Sequence, residues 1–180
     1  MGTNKALLDF QGQRLIERIA GQFAAWFDQV VLVTNTPEVY AFLGLPMAGD
    51  RVPGLGPLGG IEAGLQASAH AATFMAACDM PFLQPDLIGY LLELSSAADV
   101  VVPLPGGEYE PMHAVYGQAC LPAVRASLDA GVFKITRFYE KLRLRTVDDG
   151  ELARFGRVEK LFFNCNTPAD LEQALRLAQE

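Results

Sequence analysis

Cys78-Asp79-Met80-Pro81 follows directly on a short apolar run that ends at Ala77. If that run is a strand, Asp79 stands at its carboxyl end, where open α/β sheets place their ligands. An aspartate there is either a turn or helix-capping residue or a magnesium ligand, because magnesium takes oxygen donors, usually one or two carboxylates plus substrate phosphates. The loop Gly54-Leu55-Gly56-Pro57-Leu58-Gly59-Gly60 has four glycines in seven residues and leads into a helix expected from about Ile61. Such a loop is either a plain surface turn or a place where backbone N–H groups approach an anion at a helix N-terminus. Asp50 precedes it as a loop acid, and Lys5 stands near the N-terminus, where a lone lysine is ordinarily a solvated charge. Asn164 and Asn166 flank Cys165, and side chains two apart on an extended chain share a face. Two amides aimed together suit ligand hydrogen bonding, although capping of the next helix by one of them is equally ordinary. In Glu110-Pro111-Met112-His113, a carboxylate and an imidazole lie beside a strand, and each alone is more often structural or solvated than catalytic.

The elements that must position these residues alternate. Leu15, Ile16, Ile19, Phe23 and Trp26/Phe27 recur at helical spacing over 14–27. Val30 to Val33 is a continuous apolar run stopped by Asn35-Thr36-Pro37, as expected of a buried parallel strand. A helix opened by the glycine loop, a strand from Thr73 to Ala77 and a helix from Gln84 to Leu94 repeat the pattern. Asp99 to Pro103 and Met112 to Tyr116 read as strands of opposite direction about a Gly106-Gly107 turn, so the sheet is expected to be mixed. Helices are expected over 120–130 and 132–141, and a last strand over Leu161–Phe163. Thr167-Pro168-Ala169-Asp170 supplies an N-cap hydroxyl, a proline at the first helical position and an acid near the helix N-terminus. The whole predicts one domain over 1–180, a three-layer, Rossmann-like α/β fold with a mostly parallel mixed sheet.

Composition narrows the partners. With 14 Lys and Arg against 21 Asp and Glu, the net charge of −7 has the wrong sign for tracking nucleic acid or an anionic membrane. A single nucleotide remains compatible, provided a cation and a few local donors offset its phosphates. Cys78, Cys120 and Cys165 are far apart and form no C-x-x-C pair, which fits reduced cytoplasm. No apolar run approaches the roughly 20 residues of a membrane span.

Four motifs in order resemble those of the molybdenum cofactor guanylyltransferase family, the MobA-like nucleotidyltransferases. They are Met1-Gly2 through Lys5-Ala6-Leu7-Leu8; Asp50 with Gly56-Pro57-Leu58 and Gly60-Ile61; Cys78-Asp79-Met80-Pro81; and Asn164-x-Asn166-Thr167-Pro168 with Asp170-Leu171. The likeness spans nearly the whole chain, though from about Leu104 to Lys160 it rests mostly on length and pattern. It implies a nucleotide-diphospho-sugar transferase-like fold and the transfer of GMP from GTP to the phosphate of molybdopterin, with pyrophosphate released and Mg2+ as cofactor. By the same resemblance, Lys5 contacts the GTP phosphates and Asp79 holds magnesium. Asp50 with Gly56, Pro57 and Leu58 meets the nucleotide, and Asn164 and Asn166 serve the molybdopterin side. Contacts with molybdopterin-handling proteins or molybdoenzymes are implied as transient. The competing expectations are a sibling that uses CTP or activates a sugar phosphate, and a non-catalytic module that holds molybdopterin.

The sequence departs from the family at its start. The family opens with an apolar strand and a loop of the form Leu-Ala-Gly-Gly-x-Ser-x-Arg-Met-Gly, of which only Met1-Gly2 stands here. The first strand of a nucleotide-binding half is central in a doubly wound sheet, and the loop after it supplies phosphate donors. The expectation is therefore a sheet without its central first strand, with a gap or exposed groove beside Val30–Val33 and weak GTP binding. Calorimetric titration with GTP and magnesium should show weaker binding by residues 1–180 than by a chain extended upstream through a Gly-Gly loop. Equal affinities would make that loop dispensable.

Overall fold

The computed structural model describes residues 4–179, so Met1-Gly2 of the first motif lies outside the described residues. The chain begins with a short hairpin, β1 (Asp9–Phe10) and β2 (Gln13–Arg14), turned at Gln11-Gly12 with both residues at positive φ. It continues through α1 (Leu15–Trp26), β3 (Leu32–Val33), α2 (Pro37–Tyr40), β4 (Met47–Ala48), α3 (Pro57–Ala67), β5 (Ala72–Ala76) and α4 (Pro85–Leu94). The second half carries β6 (Val100–Pro103), β7 (His113–Gly117), α5 (Leu121–Asp129), β8 (Leu144–Val147), α6 (Asp149–Leu152), α7 (Val158–Leu161) and α8 (Pro168–Leu177).

The main sheet has the order β5-β7-β6-β8. β7 is antiparallel to both β5 and β6, and β8 is parallel to β6, so β5, β6 and β8 share one direction and β7 opposes them. This is the mixed sheet expected from sequence, but not a mostly parallel one by pairing: β7 sits inside it, between β5 and β6, so two of its three pairings are antiparallel. Its side chains alternate between two cores, as the two-residue strand period requires. Val100, Val102, Ala114 and Tyr116 face Leu58, Ile61 and Leu65 of α3 and Val124 and Leu128 of α5. Val101, Val115, Val147 and Phe74 face Ile19 of α1 and Leu87, Ile88 and Leu91 of α4. Helices on both faces make three layers. A smaller core of Phe10, Leu15, Phe82, Cys165 and Ala174 joins the opening hairpin to α8.

The expected groove is present. Among the described residues β3 pairs with β4 alone, in parallel, and β5 pairs with β7 alone. Between the facing edges of β3 and β5 runs a cavity of about 700 Å³, floored by Ile19, Phe23 and Phe27 of the α1 region. α3 contacts β3, β4 and β5 and so bridges the gap.

Three segments differ from expectation. Leu161–Phe163 is no strand: Leu161 and Phe162 donate to Arg157 and Val158 in helical fashion, at 3.0 and 3.3 Å, and bury in the α4-side core. A three-residue apolar run carries no period by which strand and helix can be told apart. The sheet instead ends on β8, whose Leu-Arg-Thr-Val sequence hides its pairing with β6 behind polar side chains. Over 132–141 only Ile135–Lys141 is helical, as a 3₁₀ stretch.

His113 begins β7 with no exposed surface, and neither ring nitrogen has a hydrogen-bond partner. Phe74 and Phe162 meet it edge-on, each at 5.1 Å between centroids. Burial pushes its pKa down to about 3, so the folded imidazole is neutral. The unfolded chain takes up a proton below about 6.5, where the folded state does not, so stability falls as pH drops from there toward 3. Between pH 6.5 and 5 the loss reaches up to about 2 kcal/mol. In thermal melts across that range, His113→Phe should lack this slope; an unchanged slope would mean that His113 is not its source.

Candidate functional site

β5 carries the chain toward the site. One further ladder bond, Ala77 N to Met112 O at 2.9 Å, extends its pairing before the turn at Cys78-Asp79. Cys165 N then donates to Asp79 O at 2.8 Å, which fixes the 164–166 segment against that turn. Around this junction three of the predicted residues meet. Lys5 Nζ lies 4.0 Å from Asp79 Oδ2 and donates to Asn166 Oδ1 at 2.5 Å. Asp79 Oδ1 is buried and has no protein hydrogen-bond partner. An orphaned carboxylate oxygen next to a bound ammonium is the donor a hard divalent cation would use. No cluster of three or more His, Cys, Asp or Glu able to hold a metal occurs among the described residues. The single orphaned carboxylate oxygen of Asp79 is the kind of donor that a cation such as magnesium would combine with water and phosphate oxygens.

The α8 N-terminus excludes one of the alternative roles of the two asparagines, that of helix cap. Thr167 Oγ1 accepts from Asp170 N at 3.1 Å, and Asp170 Oδ2 accepts from the amides of Asn166 and Thr167 at 3.0 and 2.8 Å. The helix is thus capped by Thr167 and Asp170, and neither asparagine side chain is spent on it. The two amides do not act as a pair, because Asn164 Nδ2 donates locally to Phe162 O at 3.2 Å while Asn166 serves Lys5.

Glu110 also belongs to this neighbourhood. Burial, and after it the negative charge of Asp79, raise its carboxyl above the usual range. The Cys78 thiol is likewise raised, first by burial and then by Asp79, so it is held as a neutral thiol and not as a nucleophilic thiolate.

Asp50 forms a second centre. Its carboxylate accepts from Asn35 Nδ2 at 2.8 Å while its own N–H donates to Asn35 Oδ1 at 2.9 Å, so the pair is locked at two points. Asn35 went unnoticed in the sequence because it reads as part of the Asn35-Thr36-Pro37 stop after β3; no local spacing ties it to Asp50, 15 residues on. A Cβ at Gly59 would stand 3.2 Å from the Asp50 carboxylate carbon, so glycine there lets α3 approach the acid. Gly56, at φ 72° and ψ −163°, caps α3 in a conformation that side chains rarely adopt. Gly56 and Pro57 line the cavity together with Asn35, Asp50, Cys78 and Asp79. Leu58 does not: its side chain has no exposed surface and packs in the α3–α5 core, because α3 has already turned that position toward the sheet. The two centres lie on one cavity, one able to hold a phosphate-bound cation and the other presenting amide and carboxylate groups able to read a base.

Residues 1–146 match the family described as the MobA-like NTP transferase domain. A protein of Pelotomaculum thermopropionicum named "Probable molybdenum cofactor guanylyltransferase" is 38% identical over 179 residues, covering 99% of this chain and 87% of the relative. The crystal structure of molybdopterin-guanine dinucleotide biosynthesis protein A from Archaeoglobus fulgidus superposes with a TM-score of 0.86 at 25% identity, covering 99% of this chain and 92% of that one. The 2-C-methyl-D-erythritol 4-phosphate cytidylyltransferase of Thermus thermophilus shares the fold, with a TM-score of 0.74 at 19% identity over 98% of this chain and 94% of its own. With the match covering most of its length and its relatives aligned almost end to end, the chain belongs to the MobA-like NTP transferase family.

Proposed function

We propose that this protein transfers GMP from GTP to molybdopterin, forming the guanine dinucleotide form of the molybdenum cofactor and pyrophosphate. The observation that carries the reading is the convergence of Lys5, Asp79 and Asn166 at the carboxyl end of β5. A terminal phosphate oxygen of molybdopterin attacks the α-phosphorus of GTP. The bond from that phosphorus to the bridging oxygen breaks, and pyrophosphate departs with the electron pair. Two anions are joined, so positioning and charge neutralisation supply most of the rate. Asp79 would hold magnesium, whose charge on the phosphates stabilises the transition state. Lys5, held by the Asn166 side-chain oxygen 4.0 Å from Asp79, would offer its ammonium to the same phosphates. The locked Asn35–Asp50 pair supports recognition of the base, and Asn164 contributes to the molybdopterin side. The three free thiols support a reducing compartment, the cytoplasm. Among the described residues no helix is long and apolar enough to cross a membrane.

Asp79→Asn should lower single-turnover GMP transfer at saturating magnesium by roughly 10² or more, since one neutralising carboxylate–metal contact is worth several kcal/mol in the transition state. A loss under about fivefold would remove Asp79 from the metal site. The same assay run with CTP should give far slower transfer; parity of the two nucleotides would favour the cytidylyl sibling.

Asn164→Ala should weaken molybdopterin binding about tenfold, the value of one well-made side-chain hydrogen bond, and leave GTP affinity nearly intact. Equal damage to both ligands in titrations would show a structural residue instead.

A further inference from the structure

Glu62 lies on the second turn of α3 and is 1% exposed, so its carboxylate must be paired inside the protein. Arg125 of α5 donates to its Oε1 from Nε at 3.1 Å. Arg51 donates to the same carboxylate from Nε, at 3.1 and 3.3 Å, and reaches Asp129 at the end of α5 through a second nitrogen at 2.7 Å. Arg125 alone already supplies the neutralising charge. Arg51 differs from it by following Asp50 directly in the chain, in a loop whose glycines at 54 and 56 have positive φ. That loop has one fixed point at Asn35 and needs another if the Asp50 carboxylate is to hold one orientation.

We infer that Arg51 is a positioning residue for nucleotide recognition: its planar guanidinium, spanning Glu62 and Asp129, anchors the loop from Asp50 to Gly56 to α3 and α5. The inference rests on the reading of Asp50 as a nucleotide-facing residue. Burying one carboxylate under two arginines adds little stability beyond the first pairing, whereas a rigid bidentate fork transmits orientation, which a flexible ammonium does less well.

The test compares Arg51→Met, Arg51→Lys and Arg125→Met. Amide hydrogen exchange of residues 49–57 is measured without ligand, and thermal midpoint, KM for GTP and kcat are measured alongside. Arg51→Met should raise exchange across the loop and raise KM for GTP about tenfold while kcat stays within about twofold. Arg51→Lys should recover part of both effects. Arg125→Met should lower the thermal midpoint yet leave loop exchange and KM within about twofold of the parent. Should Arg51→Met fail to fold, Asp129→Asn replaces it, with an expected rise of about threefold in KM and a smaller rise in loop exchange. Identical behaviour of the Arg51 and Arg125 variants, or loss of stability with unchanged loop exchange, would overturn the inference. Failure of the parent protein to use GTP would instead sink the functional reading, and loop exchange would still decide the role of Arg51.

Discussion

The arrangement of the site depends on the hydrogen bond from the Cys165 amide to the Asp79 carbonyl. Asp79 is delivered by the middle of the chain, Lys5 by its beginning and Asn166 by its end, and nothing in local sequence brings the three together. The bond sets the backbone of the closing segment on the turn after β5. Cys165 itself, fully buried, then packs with Phe10, Leu15, Phe82 and Ala174, which draws the opening hairpin to the same place. The small size of the cysteine side chain suits this spot, between aromatic rings and a helix. Lys5 follows because it stands a few residues before that hairpin.

Electrostatics are local here. The protein carries a net charge of −7 and offers further carboxyls, Asp28 and Asp50 along the cavity that also holds Asp79, and Glu110 near Asp79. On the proposed reading, a bound metal ion would dominate the local field where a polyphosphate sits, and the neighbouring acids would repel anions that arrive without one. The carboxyl of Glu110 is raised first by burial and then by the negative charge of Asp79.

Much of this was legible in the sequence because the signals were local. The Thr167-Pro168-Ala169-Asp170 cap, the apolar run before Asp79 and the alternating strands each declare themselves within a few residues. Two classes of feature were hidden. Pairings such as Asn35 with Asp50, or Arg51 with Glu62 and Asp129, exist only after the sheet is assembled, and polar residues in loops carry no period. Burial was the other: Leu58 belongs to a glycine-rich motif expected to meet a nucleotide, yet the helical turn points its side chain into the core. The shared face expected of Asn164 and Asn166 likewise gave way to two separate bonds, a local one from Asn164 to the Phe162 carbonyl and a long-range one between Asn166 and Lys5.

The groove between β3 and β5 divides the molecule in mechanical terms. β3, β4 and α2 reach the main sheet chiefly through α3, without a continuous backbone ladder across the gap among the described residues. Such a unit opens at lower free energy than the four-stranded sheet, whose strands are bonded on most edges. Asn35 and Asp50 ride on the weaker unit and Asp79 on the stronger. A ligand that touches both spans the divide, so its binding energy is spent partly on suppressing local opening, and the liganded protein should melt as a single cooperative body where the free one frays.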